Sequence, residues 1–140
     1  MAGNNLTVTI TTPQKEWIFD NVISCSAPGV EGGFQILVKH TPFMSQLEIG
    51  IIKLEKQEGE QFFATSGGFL EVSQNKISLL LDTCEIGSEI DIERAESSAE
   101  RARKRLKESP DELDIMRAQL SLQRALNRIR VAHKLELTTQ

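Results

Sequence analysis

Leu79-Leu80-Leu81-Asp82-Thr83-Cys84-Glu85-Ile86-Gly87-Ser88-Glu89-Ile90-Asp91 is where the chain changes character. Before it, apolar residues recur with period two, the signature of a strand with one buried face; after it they recur every three or four, as on one face of a helix. Ser88 and Asp91 have the S-x-x-D spacing of a capping box, in which a side-chain oxygen accepts from the free N–H groups of a helix start. Gly87 just before them frees the backbone for a turn. The stretch therefore reads as a joint between a β module over residues 1–87 and a helical module over residues 88–140.

Upstream, Leu6, Val8 and Ile10 alternate with Thr7, Thr9 and Thr11 as in a half-buried strand, which Pro13 ends. A second run follows Trp17-Ile18-Phe19, with Ile23, Cys25 and Ala27 expected on one face. Phe34-Gln35-Ile36-Leu37 reads as a short strand before the His40-Thr41-Pro42 turn. Leu47, Ile49, Ile51, Ile52 and Leu54 suggest one strand that switches face at a bulge near Gly50. Glu58-Gly59 is a hairpin tip, Gln61–Thr65 a strand, and Ser66-Gly67-Gly68 a turn. Phe69–Val72 and Ile77–Leu81 pair around Ser73-Gln74-Asn75-Lys76. Short strands with turn signals this frequent imply a sandwich or flattened barrel.

Downstream, Ile92, Ala95, Ala99, Ala102 and Leu106 are spaced 3-4-3-4, and Ile115, Ala118, Leu122, Ala125, Ile129 and Ala132 repeat the pattern. Between them, Ser109 is the expected N-cap of a second helix, with Pro110 at N1 and Glu112 at N3. So short a turn makes the helices antiparallel. The fold class is thus α+β, a β-sandwich followed by an antiparallel helical hairpin. Alanine supplies much of the seam. Each Ala buries a single methyl, at about 0.8 kcal/mol per carbon, so the hairpin is closed only marginally, and it reads equally as an arm that unzips or peels from the sandwich at modest cost and as a rigid coiled pair.

Charge is unevenly spread. Residues 1–87 hold five Lys against ten Asp and Glu, whereas residues 111–140 hold five basic and four acidic groups. An acidic β module lacks the basic face of a nucleic-acid binder. Neither a leader peptide nor an apolar run of membrane-spanning length is evident. Cys25 and Cys84 read as small core residues of a reducing compartment. His40 and His133 lie in different modules, no serine has a nucleophile-elbow context, and no metal-ligand spacing occurs, so neither a catalytic nor a metal site is expected.

The helices carry a near-repeat, Glu89-Ile90-Asp91-Ile92-Glu93-Arg94-Ala95 and Glu112-Leu113-Asp114-Ile115-Met116-Arg117-Ala118. Each places an Asp at the positive end of a helix and an Arg three residues on, as a cap with an i,i+3 ion pair would require. Arg117, Arg124 and Arg128 share one flank of the second helix, with Arg130 and Lys134 beyond. Such charge serves as a solvated face. Converging with Asp91 and Arg94 across the hairpin, these guanidinium groups could also hold an anionic ligand.

Ser66-Gly67-Gly68-Phe69-Leu70-Glu71-Val72, His40-Thr41-Pro42, Ile90-Asp91-Ile92-Glu93-Arg94-Ala95 and Arg124-Ala125-Leu126-Asn127-Arg128 occur in an order that resembles the epsilon subunit of bacterial or chloroplast F-type ATP synthases, from about Leu6 to Lys134. The resemblance implies a ten-stranded sandwich that binds the gamma subunit and the c-subunit ring. It implies a hairpin that folds onto the sandwich or extends toward the alpha/beta catalytic hexamer, where it restrains ATP hydrolysis. Such a subunit is not an enzyme. It couples proton flow to ATP synthesis as a non-catalytic rotor component, and meets the membrane only through its complex, on the cytoplasmic face of a bacterial inner membrane or the stromal face of a thylakoid.

No cofactor is required by the resemblance. In some members the folded form binds regulatory ATP through an I/L-D-x-x-R-A motif, which here falls on Ile90, Asp91, Arg94 and Ala95, with Glu85, Arg124 and Arg128 as helpers. The c-ring contact falls on the Glu31–Pro42 loop, at Glu31, Gly32, Gly33, His40 and Pro42, and the extended hairpin meets the catalytic subunits through Arg117, Arg124, Arg128 and Arg130. Many members read Pro-Gly where this chain has Val38-Lys39, and an acidic residue often used toward the c ring falls on Gly33; altered turn geometry is expected there. A second reading is a free nucleotide-sensing module whose hairpin closes on ATP.

Overall fold

The computed structural model describes residues 4–108 and 111–138, with side chains as far as Lys134. Strands β1 (Leu6–Thr11), β2 (Glu16–Gly29), β3 (Gly32–Leu37), β4 (Phe43–Leu47), β5 (Gly50–Lys56), β6 (Gly59–Thr65), β7 (Gly68–Ser73), β8 (Lys76–Leu81) and β9 (Cys84–Ile86) precede helices α1 (Ile92–Glu108) and α2 (Glu112–Thr138). The described residues thus hold nine strands where ten were expected. Their order is β1-β8-β7-β4-β2-β5-β6-β9, with β3 added on β2 and β1 closing back onto β2.

The long β2 joins the two layers. Its first half pairs with β1, its second with β3 and β5. The crossing is made at Asn21, which adopts φ 59, and the β5 register shifts between Val22 and Ser24. A bulge of this kind turns the strand and inverts its facing. Val22 and Cys25 are therefore buried while Ile23 points outward, which corrects the expected Ile23-Cys25-Ala27 face. The expected bulged strand near Gly50 is instead two strands, because the chain leaves β4 after Leu47 and re-enters the other layer at Gly50. Gly50 is required there: an added Cβ would lie 2.5 Å from Pro28.

Between the layers, Leu6, Val8 and Ile10 meet Ile52, Leu54, Phe63, Leu70, Val72, Ile77 and Leu79, all essentially inaccessible. Trp17 and Phe19 close one side of this core with edge-on contacts to Phe63, at centroid distances of 6.3 and 5.7 Å. Cys25 is buried and Cys84 half-buried, and both are free thiols. Burial pushes the Cys25 thiol up to about 12, and burial with the neighbouring Glu85 charge does the same for Cys84.

The β3–β4 connection departs from expectation in an instructive way. Residues 31–42 are not a single loop, because β3 runs through them. Lys39 adopts φ 64, the left-handed region that glycine favours. Asn75 supports it, accepting the Lys39 N–H on its side-chain oxygen at 2.7 Å.

At the joint, Gly87–Glu89 forms one 3-10 turn and Ile90 returns to an extended conformation. The helix therefore starts later than the Ser88 capping box predicts. Asp91 is the cap, its Oδ1 accepting the Arg94 N–H at 3.1 Å while its carbonyl accepts from Ala95. With its carboxylate so used, Asp91 makes no ion pair with Arg94 among the described residues, contrary to the i,i+3 expectation. Ser109 and Pro110 lie outside the described residues, so their expected capping roles do too. The next helix starts at Glu112 rather than carrying it at N3; Asp111 is its cap and accepts the Leu113 N–H at 3.1 Å. Ala95, Ala99 and Ala102 of α1, and Ala118, Ala125 and Ala132 of α2, are buried as the 3-4 spacing predicts.

Candidate functional site

The hairpin docks on the sandwich through α2 and the 3-10 turn. Contacts of several kinds hold it, among them Lys134 Nζ over the Phe62 ring at 5.8 Å. Val131 and Ala132 pack with Phe62, Ala64 and Ile90 in a small apolar cluster. Asn127, only 5% exposed, donates from Nδ2 to the Gly50 carbonyl at 2.7 Å. Arg128 grips Glu85 with two bonds, Nε to Oε1 at 2.6 Å and Nη2 to Oε2 at 3.1 Å. A forked, partly shielded pair of this kind is stronger than an ordinary surface ion pair. Gly87 lets the helix approach closely, since a Cβ there would meet Val131 Cγ1 at 3.1 Å and the Phe62 carbonyl at 3.2 Å.

Where hairpin and sandwich meet lies a cavity of about 410 Å³. Ser98, Arg101, Ala102 and Arg105 line it from α1; Ser121, Arg124, Ala125 and Arg128 line it from α2; Thr65, Thr83 and Glu85 line it from the sandwich. The two helices contribute the same pattern, S-x-x-R-A-x-x-R, at residues 98–105 and 121–128. Spacings of three, four and seven put serine, alanine and both arginines on one helix face. Alanine lets the axes approach, while the flanking arginines point into the opening. The lining carries four guanidinium groups against one carboxylate. Arg128 is neutralised by Glu85, and Arg101 donates to Ser98 Oγ at 3.1 Å. Arg105 and Arg124 have no ion-pair partner among the described residues. Such a lining suits an anion with several charged oxygens.

Of the nucleotide set expected from sequence, the structure brings Glu85, Arg124 and Arg128 together at this cavity. Asp91 and Arg94 are exposed at the start of α1, outside the lining. Ile90 belongs to the docking cluster and Ala95 is fully buried in the helix seam. Arg101 and Arg105 were missed, although the duplicated S-x-x-R-A-x-x-R pattern was present to be read. Arg117 and Arg130 are exposed on α2.

The expected ring-contact residues divide. Glu31, Gly32 and Gly33 sit where β2 turns into β3, and His40 and Pro42 sit beyond its other end, about 20 Å away at roughly 3.3 Å per residue. His40 is tied locally, its Nδ1 lying 2.6 Å from the Thr41 carbonyl oxygen. Next to it begins the outer face of the β4-β7-β8-β1 layer. There Phe69 stands opposite Gln46 and Leu80, and Ile18 opposite Thr9. Met44, Phe69, Leu80 and Ile18 are all more than half exposed on this face. No group of three His, Cys, Asp or Glu able to hold a metal occurs among the described residues, and no helix there is long and apolar enough to cross a membrane.

A sandwich with an exposed apolar face, carrying a docked hairpin over a cationic cavity, is the architecture of a binding subunit. Comparison with known proteins makes the class specific. The family described as ATP synthase, Delta/Epsilon chain, beta-sandwich domain matches residues 5–87, and its long alpha-helix domain matches residues 88–133. The chain belongs to the ATP synthase epsilon chain family. It is 48% identical over 139 residues to the ATP synthase epsilon chain of Salinibacter ruber, covering 93% of each chain. It is 38% identical over 135 residues to that of Syntrophomonas wolfei, covering 96% of this chain and 98% of the relative. The fold also matches a chain in the mitochondrial ATP synthase of Euglena gracilis, with a TM-score of 0.76 at 23% identity over 98% of this chain and 82% of that one.

Proposed function

We propose that this chain is a non-catalytic central-stalk subunit of a proton-translocating F-type ATP synthase, which couples proton flow to ATP synthesis and restrains ATP hydrolysis through its hairpin. The observation that carries this reading is the way the hairpin is held. Among the described residues, the Asn127–Gly50 hydrogen bond, the forked Arg128–Glu85 pair, a small apolar cluster and Lys134 over the Phe62 ring dock an alanine-seamed hairpin onto a sandwich that has its own complete core. An arm held by so few groups can leave its dock without unfolding the body. Released, it presents Arg117, Arg124, Arg128 and Arg130 to acidic surfaces of the alpha/beta hexamer, where opposed charge sets register and partner.

The exposed face of Ile18, Met44, Phe69 and Leu80 supports an apolar contact with gamma. His40–Pro42 is continuous with this face and is assigned with it to gamma. The Glu31–Gly33 turn, at the far end of β3, is left to the c ring. The subunit then sits on the cytoplasmic face of a bacterial inner membrane, or the stromal face of a thylakoid, through its complex alone. Deleting residues 88–140 tests the inhibitory role. Hydrolysis by the assembled enzyme should rise with the shortened subunit still bound; unchanged hydrolysis with the subunit bound overturns it.

A second role, ATP sensing, is favoured by the four-arginine cavity. ATP held between α1, α2 and Glu85 would bind only the docked hairpin, adding RT ln(1 + [L]/Kd) to docking, about 2.7 kcal/mol at a hundredfold excess over Kd. That would link ATP concentration to release of inhibition. A free nucleotide sensor would remain alone through purification, whereas a stalk subunit travels with the ATPase.

A further inference from the structure

We infer that Asn75 is a positioning residue that holds the His40–Thr41–Pro42 loop in shape for its partner, and that it does so by fixing Lys39 in a left-handed conformation. This rests on the assignment of that loop to the gamma contact.

Three non-glycine residues with positive φ meet at this corner: Lys39 at 64°, Gln74 at 51° and Asn75 at 62°. Gln74 and Asn75 are the two-residue connection between β7 and β8, since Ser73 pairs with Lys76 across it. Positive φ at both positions is the tight hairpin turn whose twist matches the strands, and asparagine tolerates it better than most residues. The turn aims Asn75 two ways. Its carbonyl accepts the Thr7 N–H at 2.9 Å, tying the start of β1 to β8. Its side-chain oxygen accepts the Lys39 N–H at 2.7 Å, across 36 residues of chain.

Lys39 has no local reason to stay left-handed. A residue with a Cβ disfavours that region, and lysine brings no short polar side chain to support it. The Asn75 bond is the external support. Beyond Lys39 the loop is already stiff, with His40 tied to the Thr41 carbonyl and with His40 and Phe34 both against the Phe43 ring, at centroid distances of 5.7 and 5.2 Å. One clamped torsion therefore governs how the whole exposed tip is presented. A tip that is ordered before binding loses less conformational freedom on docking.

The clamp predicts a rescue. In Asn75→Ala, Lys39 is released, and affinity of the full chain for ATPase complex depleted of this subunit should fall roughly three- to tenfold, the usual scale of one hydrogen bond. Adding Lys39→Gly should restore most of that loss, because glycine holds the conformation without support. Lys39→Gly alone should bind at least as tightly as the parent. Backbone NMR order parameters at His40 and Thr41 should fall in Asn75→Ala and rise again in the double variant, a readout that needs no partner. Parent-like binding by Asn75→Ala, or a loss that Lys39→Gly does not repair, overturns the proposal. Failure of the parent chain itself to bind would instead overturn the stalk assignment, while the order parameters would still judge the clamp.

Discussion

Asn127→Asp should free the hairpin while leaving the sandwich intact. The substitution preserves shape and replaces an N–H donor with an acceptor. In the docked state that acceptor faces the Gly50 carbonyl, 2.7 Å from the present donor and at a position only 5% exposed. Asn127 Oδ1 is already buried without a partner, so the docked state has no spare donor to soften the change. A buried polar group left unsatisfied costs about 1–3 kcal/mol, which at about 1.4 kcal/mol per tenfold shifts docking by roughly five- to 150-fold. Amide protection factors measure it directly. At pH 8, protection over residues 118–132 should fall at least about fivefold, while Leu54 and Phe63 in the sandwich core keep theirs. The variant also gains a pH dependence. Burial and the facing carbonyl disfavour the charged carboxylate, so its pKa is raised in the docked state. The bond to Gly50 is then regained below the raised value, where the protonated acid donates to the carbonyl, and is lost as pH rises through it. Unchanged α2 protection at pH 8 would refute the role given to Asn127; equal loss in the sandwich would show that the hairpin is not a separable unit.

Gly87→Val should also undock the hairpin, since a Cβ there meets Val131 and the Phe62 carbonyl within 3.2 Å; protection in α2 should fall while β-sheet circular dichroism is retained. A chain ending at Gly87 should unfold cooperatively on heating, because the main core cluster runs from Leu6 to Leu81; an aggregated or molten product would refute the two-module reading. If the cavity binds ATP, calorimetry of the full chain should give saturable heat that disappears in Arg105→Ala/Arg124→Ala, and no binding at millimolar ATP would remove the sensing role. Cys25 and Cys84, pushed up from 9.0 to about 12, contribute stability that is present below about pH 9 and lost as pH climbs toward 12. At pH 8 both should react with a thiol reagent far more slowly in the native chain than in the unfolded one, and labelling at the unfolded rate would contradict their burial.

Local pattern was enough to place the joint at Gly87, the alternation of β1, β7 and β8, and the alanine seam of the hairpin, because strand and helix periods are properties of neighbouring residues. It was also enough, through ordered motifs, for the family. The nine-stranded path was not legible: Asn21 inverts the face of β2 by one torsion, and the break after Leu47 carries no strong punctuation. Ser88 satisfied the spacing of a cap, yet burial of Ile90 against Phe62 and Val131 draws the preceding turn onto the sandwich and passes the cap to Asp91. The cavity was half legible. Its α2 side was read from Arg124 and Arg128, but Arg101 and Arg105 looked like any solvated helix flank until α1 was laid against its partner. Which helix face meets the sandwich depends on pairs distant in sequence, Asn127 with Gly50 across 77 residues and Arg128 with Glu85 across 43. A periodic pattern says that a face will be buried; only the packed chain says against what, because that choice is made by shape and by hydrogen-bonding partners that no local window contains.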